Sequence, residues 1–240
     1  MMASAGSRRA LVTGASRGLG AALARGLAAR GYSLLLVARS EAELARCADE
    51  CVAHGARAVG CAADLALADD CERVAQRAEH EFGGIDVLIN NAGIGPYRPF
   101  VDNPPAELQR TVALNLVAPM LLSHALLPGM ASRGHGYVIN IASDLARRPL
   151  ANMAPYVASK FGLLGFGASL HREVRSRGVK VTTVLPGIID SSFNGAAEGS
   201  KDARWALPTT TLASQVLALL DLPPQVVVDE ITLHPADGDY

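Results

Sequence analysis

The sequence predicts an α/β fold in three layers, with a seven-stranded, mostly parallel, doubly wound sheet between helices on both faces. Three observations carry this expectation. Short Val-, Ile- and Leu-rich runs alternate with helix-length segments along the 240 residues. Those runs are continuously apolar rather than alternating, as in strands buried on both faces. Strand alternating with helix implies right-handed crossovers that build one parallel sheet.

The elements follow in order. RALVTG (9–14) is the first strand, and GLGAALARGLAARG (18–31) the helix behind it. YSLLLVA (32–38) precedes EAELARCADECVAHG (41–55), and ARAVGCAA (56–63) precedes DDCERVAQRAEHEFGG (69–84). IDVLIN (85–90) leads to a long helical piece at about 104–131. GYVINIAS (136–143) leads to a second at 155–177, then VKVTTVLP (179–186) and QVVVDEITL (225–233) close the set. No repeat or linker interrupts residues 1–240, which reads as a single domain. The longest irregular stretch, at 190–210, is rich in Gly, Ser, Asn and Asp, and it carries Phe193 and Trp205. A loop of that length is usually functional or disordered, and with these aromatics it is expected to act as a lid over a pocket.

Composition excludes several classes. Lys and Arg number 22 against 23 Asp and Glu, for a net charge of −1, so nothing electrostatic favours nucleic acid or a membrane surface. No uninterrupted apolar run reaches the roughly 18 residues of a membrane span. The twin arginine Arg8-Arg9 is followed by a short strand rather than an apolar segment. No secretion signal is read there, and the cytoplasm is the expected compartment. Cys47, Cys51, Cys61 and Cys71 include no Cys-x-x-Cys pair, and only His54 stands near. Buried thiols are expected, with no metal and no disulfide.

Chemistry concentrates where strands end. TGASRGLG places Gly14, Gly18 and Gly20 between the first strand and its helix, the context a dinucleotide-binding Rossmann turn requires. Glycines let the backbone approach a pyrophosphate, and the helix N-terminus offers free N–H groups. The second strand ends in Ala38-Arg39-Ser40, where a site for NAD offers a carboxylate to the adenosine ribose. Arg39, with Arg17 in the glycine turn, suits a 2′-phosphate and predicts NADP. Ser143 ends the fifth strand, and Tyr156 and Lys160 follow in APYVASKFG. Four residues apart in a helix, the phenol and the ammonium share one face. Asn90, Asn91, Ala92 and Gly93 end the fourth strand, and Asn115 lies in the helix after it.

These motifs, in this order, resemble the short-chain dehydrogenase/reductase family over essentially the whole chain: TGASRGLG, Asp64 in ADL, NNAG, Asn115, Ser143, YVASK and Pro186-Gly187. The resemblance implies that Tyr156 is the proton donor or base, that Ser143 holds the substrate carbonyl, and that Lys160 binds the nicotinamide ribose. An ammonium nearby is expected to lower the phenol pKa from about 10 by roughly 1–3 units. Asn115 would hold a water between Lys160 and solvent. Ser16, Arg17, Gly18, Leu19 and Gly20 would line the phosphates, Asp64 and Leu65 the adenine, and Asn91, Ala92 and Gly93 the adenosine-ribose side. Pro186, Gly187, Ile189 and Ser191 would meet the nicotinamide, with Ser191 where the family often has Thr. The substrate wall is expected from Ile94, Gly95, Tyr97, Leu145, Met153, Phe193 and Trp205.

The implied activity is that of an NADP-dependent enzyme acting on CH–OH groups, reducing a medium-sized apolar ketone or aldehyde with NADPH. Two other readings stay open: a dehydrogenase working mainly on an alcohol or hydroxy acid, and an NADP(H)-binding protein without turnover. The ending LDLPPQVVVDEITLHPADGDY lacks the Val-Asp-Gly-Gly close of many members. It is more similar to the branch holding NADP-dependent 3-hydroxy acid dehydrogenases and related carbonyl reductases. Ala- and Gly-rich surfaces on the two long helices, with FGLLGFGASL in the second, imply a homodimer or homotetramer.

Overall fold

The computed structural model describes residues 7–237. Residues 1–6, part of the stretch in which no secretion signal is read, and 238–240 lie outside the described residues. Seven strands form one sheet in the order β3-β2-β1-β4-β5-β6-β9, and every neighbouring pair is parallel. They are β1 (Arg9–Thr13), β2 (Ser33–Ala38), β3 (Ala58–Ala62), β4 (Val87–Asn90), β5 (Gly136–Ile141), β6 (Val179–Pro186) and β9 (Glu230–Leu233). Six of the strands lie where apolar continuity puts them; the seventh is only Glu230–Leu233, with the Val226–Val228 run expected in it left outside, and the sheet is wholly parallel.

Each strand sends alternate side chains into two separate cores, which is why its apolar run is unbroken. Ala10, Val12, Leu34 and Leu36 meet α1 (Gly18–Ala29), α2 (Glu41–Ala53) and α7 (Thr209–Ala218) on one face. Leu11, Leu35, Val37 and Leu88 meet α3 (Ala68–Phe82), α5 (Ala118–Arg133) and α6 (Ala154–Val174) on the other. Local signals set the helix ends. Ser40 caps α2 by accepting a bond from the Glu43 N–H, and Gly83 and Gly134 end α3 and α5 in the left-handed conformation.

The helical piece after β4 is longer and less regular than its sequence predicts. α4 (Pro105–Val112) runs through a π turn, Ala113–Val117, directly into α5. Together they make 29 residues of continuous helix, Pro105–Arg133, long and apolar enough by length and composition to cross a membrane. Within it no uninterrupted apolar run reaches about 18 residues, as expected, since Asn115, Ser123 and His124 break it. Asn115 and Ser123 are nonetheless buried. A further feature absent from the sequence reading is the two-residue parallel bridge between β7 (Ile189–Asp190) and β8 (Leu207–Pro208). It closes the base of the loop at 190–210, helped by the Leu207 N–H on the Ile188 carbonyl at 2.8 Å.

At the edge of the sheet away from the site, Asp86 clamps β1 to β4. Its carboxylate accepts from the Arg9 backbone N–H (2.9 Å), Nε (2.9 Å) and Nη2 (2.6 Å). Burial alone would push Asp86 up, but these hydrogen bonds from Arg9 outweigh it and hold the carboxyl below the usual aspartate range. The stabilisation is therefore present above that range and lost as pH falls through the lowered value. Replacing Asp86 by Asn strands the Arg9 guanidinium. The variant is expected to lose about 3 kcal/mol in urea unfolding at neutral pH, with the m-value unchanged, and less of that difference to survive at acid pH.

Candidate active site

The strand order reverses between β1 and β4, and the crevice outside their carboxyl ends is where ligands bind in such sheets. A cavity of about 830 Å³ occupies it. The β1–α1 turn forms one end. Gly14 and Gly18 have φ of +65° and +55°, and a Cβ on Gly20 would lie 2.1 Å from the Gly14 carbonyl oxygen. Only glycine fits such a turn. No side chain caps the start of α1, and its first turn holds no acidic residue, so its amide groups remain free for an anion.

Thr13 fastens this turn to the end of β4. Its Oγ1 accepts from the Asn91 and Ala92 N–H groups at 2.9 Å each, and Asn91 Nδ2 donates to the Thr13 carbonyl at 2.9 Å. Arg17 and Arg39 both line the cavity, and neither has an ion-pair partner among the described residues. Ser16, Leu19, Asp64, Leu65, Ala92 and Gly93 line it as well. The Asp64 carboxylate is already engaged, because Arg110 Nη2 donates to both its oxygens at 2.9 and 2.7 Å. Unpaired guanidiniums, glycine cradle and free helix terminus together fit a dinucleotide with an extra phosphate.

The other end is made by β5 and α6. Ser143, Tyr156 and Lys160 all border the cavity, at 7%, 8% and 4% exposure. Ser143 Oγ donates to Asp144 Oδ1 at 3.1 Å and accepts from the Leu145 N–H at 3.2 Å. Lys160 Nζ donates to the Ile141 carbonyl at 2.8 Å and lies 5.6 Å from the centre of the Tyr156 ring. Pro186, Gly187, Ile189 and Ser191 cross from this end toward the glycine turn, where a Cβ on Gly18 would touch the Ser191 Cβ at 3.5 Å.

Charge at this end departs from expectation. Burial pushes the Tyr156 phenol up to about 12, against the pull of the Ser143 hydroxyl and with help from the Asp144 carboxylate. The lowering expected from Lys160 is absent, since that amine points at Ile141 and burial brings it down to about 8. Desolvation outweighs the i,i+4 pairing.

The Asn115 side chain is engaged through both of its amide atoms. Nδ2 donates to the Ile94 carbonyl (2.8 Å) and to Ser159 Oγ (3.0 Å), and Oδ1 accepts from the Ile94 N–H (2.9 Å). The amide therefore ties the chain after β4 to α6, and it is not part of the cavity lining.

Of the expected substrate wall, Ile94, Leu145, Met153 and Phe193 line the cavity. The Phe193 and Tyr156 rings sit 6.0 Å apart, tilted by 58°. Gly95 lies just behind them, where a Cβ would come within 2.7 Å of the tyrosine ring. Tyr97 and Trp205 are corrections: at 63% and 43% exposure they face solvent outside the wall. The returning leg of the loop is pinned at Leu207, which leaves Trp205 on the outer side. The sequence reading missed Asp144, whose Oδ1 accepts from Ser143 Oγ at 3.1 Å. Its place directly after Ser143 was the available signal.

The four cysteines are free and buried.

Comparison with known proteins agrees with this geometry. A family model described as short chain dehydrogenase matches residues 8–202. The 3-oxoacyl-acyl-carrier-protein reductase FabG of Vibrio cholerae is 35% identical over 238 residues, covering 96% of each chain. An alcohol dehydrogenase from the archaeon Thermococcus sibiricus, solved with 5-hydroxy-NADP, superposes with a TM-score of 0.92 at 28% identity, covering 98% of this chain and 99% of that one. A single-substitution variant of actinorhodin polyketide ketoreductase with NADPH gives 0.88 at 28% identity over the whole of both chains.

The charge state of the site is open to direct titration. A phenol raised in the folded state stabilises the fold fully below pH about 10, and that contribution is lost as pH climbs toward about 12. Lys160 works the other way: its lowered amine costs stability below pH about 8, and the cost fades as pH rises past it. The tyrosinate absorbance difference between wild type and Tyr156→Phe, without cofactor, is expected to show no ionisation below about pH 11. Ionisation near 10 or lower would contradict the burial account.

Proposed function

The chain belongs to the short-chain dehydrogenase family, and from that premise we propose that it is an NADPH-dependent carbonyl reductase whose acid is Tyr156. It is an oxidoreductase of the NADP-dependent, CH–OH type. One observation carries the reading: Tyr156 and Ser143 are both buried at the same end of the cavity, with Lys160 one turn further along α6, so a phenol and a hydroxyl can meet one carbonyl oxygen. A protonated phenol can give a proton to a carbonyl oxygen that is gaining negative charge. The names of FabG and of actinorhodin ketoreductase, both carbonyl reductases, support the same direction.

Each residue then has a task. Ser143 Oγ turns its hydrogen toward the substrate carbonyl and fixes its orientation beside the phenol. Tyr156 delivers the proton to that oxygen. The Lys160 amine, anchored on the Ile141 carbonyl, would hold the nicotinamide ribose. Asn115 acts by positioning, keeping Ile94 and the end of β4 against α6. Gly14, Gly18, Gly20 and the α1 amides would hold the pyrophosphate, and Arg17 with Arg39 the 2′-phosphate. Bound NADPH supplies the hydride. Ile94, Leu145, Met153 and Phe193 make an apolar pocket suited to a medium-sized ketone or aldehyde, with the 190–210 loop as its lid.

The reading extends to assembly and place. Val112, Val117 and Met120 on the α4–α5 helix and Phe161 on α6 are exposed large apolar residues on neighbouring helices. We assign that face to a homodimer or homotetramer contact. Four free, buried cysteines suit a reducing compartment, and we place the enzyme in the cytoplasm.

NADPH consumption at 340 nm against aryl ketones, β-keto esters and aldehydes tests the proposal. Turnover of at least one class is expected, and tight NADPH binding with no carbonyl reduced would overturn it. Cofactor choice has its own test. Arg39→Ala is expected to lower NADPH affinity about tenfold, roughly 1.4 kcal/mol, and to leave NADH affinity unchanged. Equal losses for both cofactors would remove Arg39 from the 2′-phosphate.

A further inference from the structure

Among the described residues, Asp144 is the carboxylate that touches the reacting end of the cavity through a hydroxyl. Its Oδ1 accepts from Ser143 Oγ at 3.1 Å, and its Oδ2 lies 3.5 Å from His234 Nε2 at the end of β9. The side chain is 15% exposed and belongs to the cavity wall. The Ser143 oxygen, at the same end of the cavity as Tyr156, is therefore one hydrogen bond from a carboxylate. That group also acts on the phenol, adding to the rise in its pKa.

We propose that Asp144 is a specificity-determining residue that rejects substrates carrying a carboxylate beside the reacting carbonyl, so that the site takes uncharged keto esters and ketones instead of free keto acids. The inference rests on the reductase reading above and narrows its substrate class. A carbonyl held by Ser143 and Tyr156 brings any carboxylate one or two bonds away to within a few ångströms of Asp144, in a partly desolvated pocket where like charges repel strongly. Most cations nearby are spent on other groups, Lys201 among them, whose Nζ donates to the Ile189 carbonyl at 3.2 Å. Lys160 directs its ammonium at the Ile141 carbonyl, behind the phenol ring. Arg147 is spent on Glu230, at 3.2 and 2.6 Å. Arg148 is in the wall but exposed. His234 sits on the carboxylate oxygen away from Ser143. The Ile94, Met153 and Phe193 surfaces offer no partner for an anion.

The test compares ethyl acetoacetate with acetoacetate, each with saturating NADPH, in wild type and in Asp144→Asn. The ratio of kcat/KM for ester over acid is expected to be high in wild type and to fall about tenfold in the variant, equivalent to about 1.4 kcal/mol. The fall should come mainly from a lower KM for the acid. A ratio is insensitive to general loss of activity, and NADPH fluorescence titration reports whether each variant folds. Asp144→Ser supplies a second uncharged side chain, with the same change in ratio expected. Equal use of ester and acid by wild type would overturn the inference, as would an unchanged ratio in both variants. Reduction of neither compound would overturn it too. Turnover of aryl ketones by the same preparation then separates that result from failure of the reductase reading.

Discussion

An ammonium ion sunk at the end of a β-sheet is the constraint around which the site is built. Lys160 is almost wholly buried, and a buried charge is costly unless an acceptor meets it. The Ile141 carbonyl at the exit of β5 meets it at 2.8 Å. That single bond requires α6 to lie close on β5 and β6, and small residues permit it. A Cβ on Gly167 would come within 2.3 Å of Thr183 Oγ1 on β6, while one on Gly162 would come within 2.7 Å of Leu116 in the π turn packed beside α6. Close approach then places Tyr156, one turn before Lys160, under the same roof as Ser143. Burial that is costly for the ammonium also holds the phenol protonated, the state an acid needs.

The opposite end of the cavity is governed by backbone rather than by side-chain charge. The glycine turn leaves no room for a Cβ at position 20, and Thr13 binds it to the chain leaving β4 with one hydroxyl. Both ends are therefore hung from the same parallel sheet, β1 and β4 holding one and β5 and β6 the other. The segment 187–193 bridges them, fixed by the Gly187 N–H on the Leu233 carbonyl at 2.9 Å and by the short β7–β8 pairing.

Much of this was legible in the sequence because the signals are local and periodic. Seven apolar runs give seven parallel strands, and the i,i+4 spacing of Tyr156 and Lys160 does put both on the buried face of α6. The glycine turn was readable because its context, strand then helix, limits what such glycines can do. What escaped depends on distant parts of the chain. A two-residue bridge such as Ile189–Asp190 with Leu207–Pro208 is too short to leave a pattern. The π turn at Ala113–Val117 answers to packing against α6, not to propensity. The direction of the Tyr156 shift was misread because spacing reports proximity and says nothing of desolvation or of where Lys160 points. Tyr97 and Trp205 look like wall residues by type, and only the path of the folded chain turns them outward. Asp144 was overlooked because an acidic residue after a serine is unremarkable until its carboxylate is seen on the hydroxyl.

The most direct test of the central claim is single-turnover reduction by Tyr156→Phe with NADPH deuterated at the transferred position and a ketone that wild type reduces. Removal of the phenol oxygen with NADPH binding intact is expected to slow the chemical step by about 10²–10⁴-fold, with deuterium still delivered to the carbinol carbon. A variant that reduces the ketone within a few-fold of the wild-type rate would contradict the account, because the proton would then come from another group.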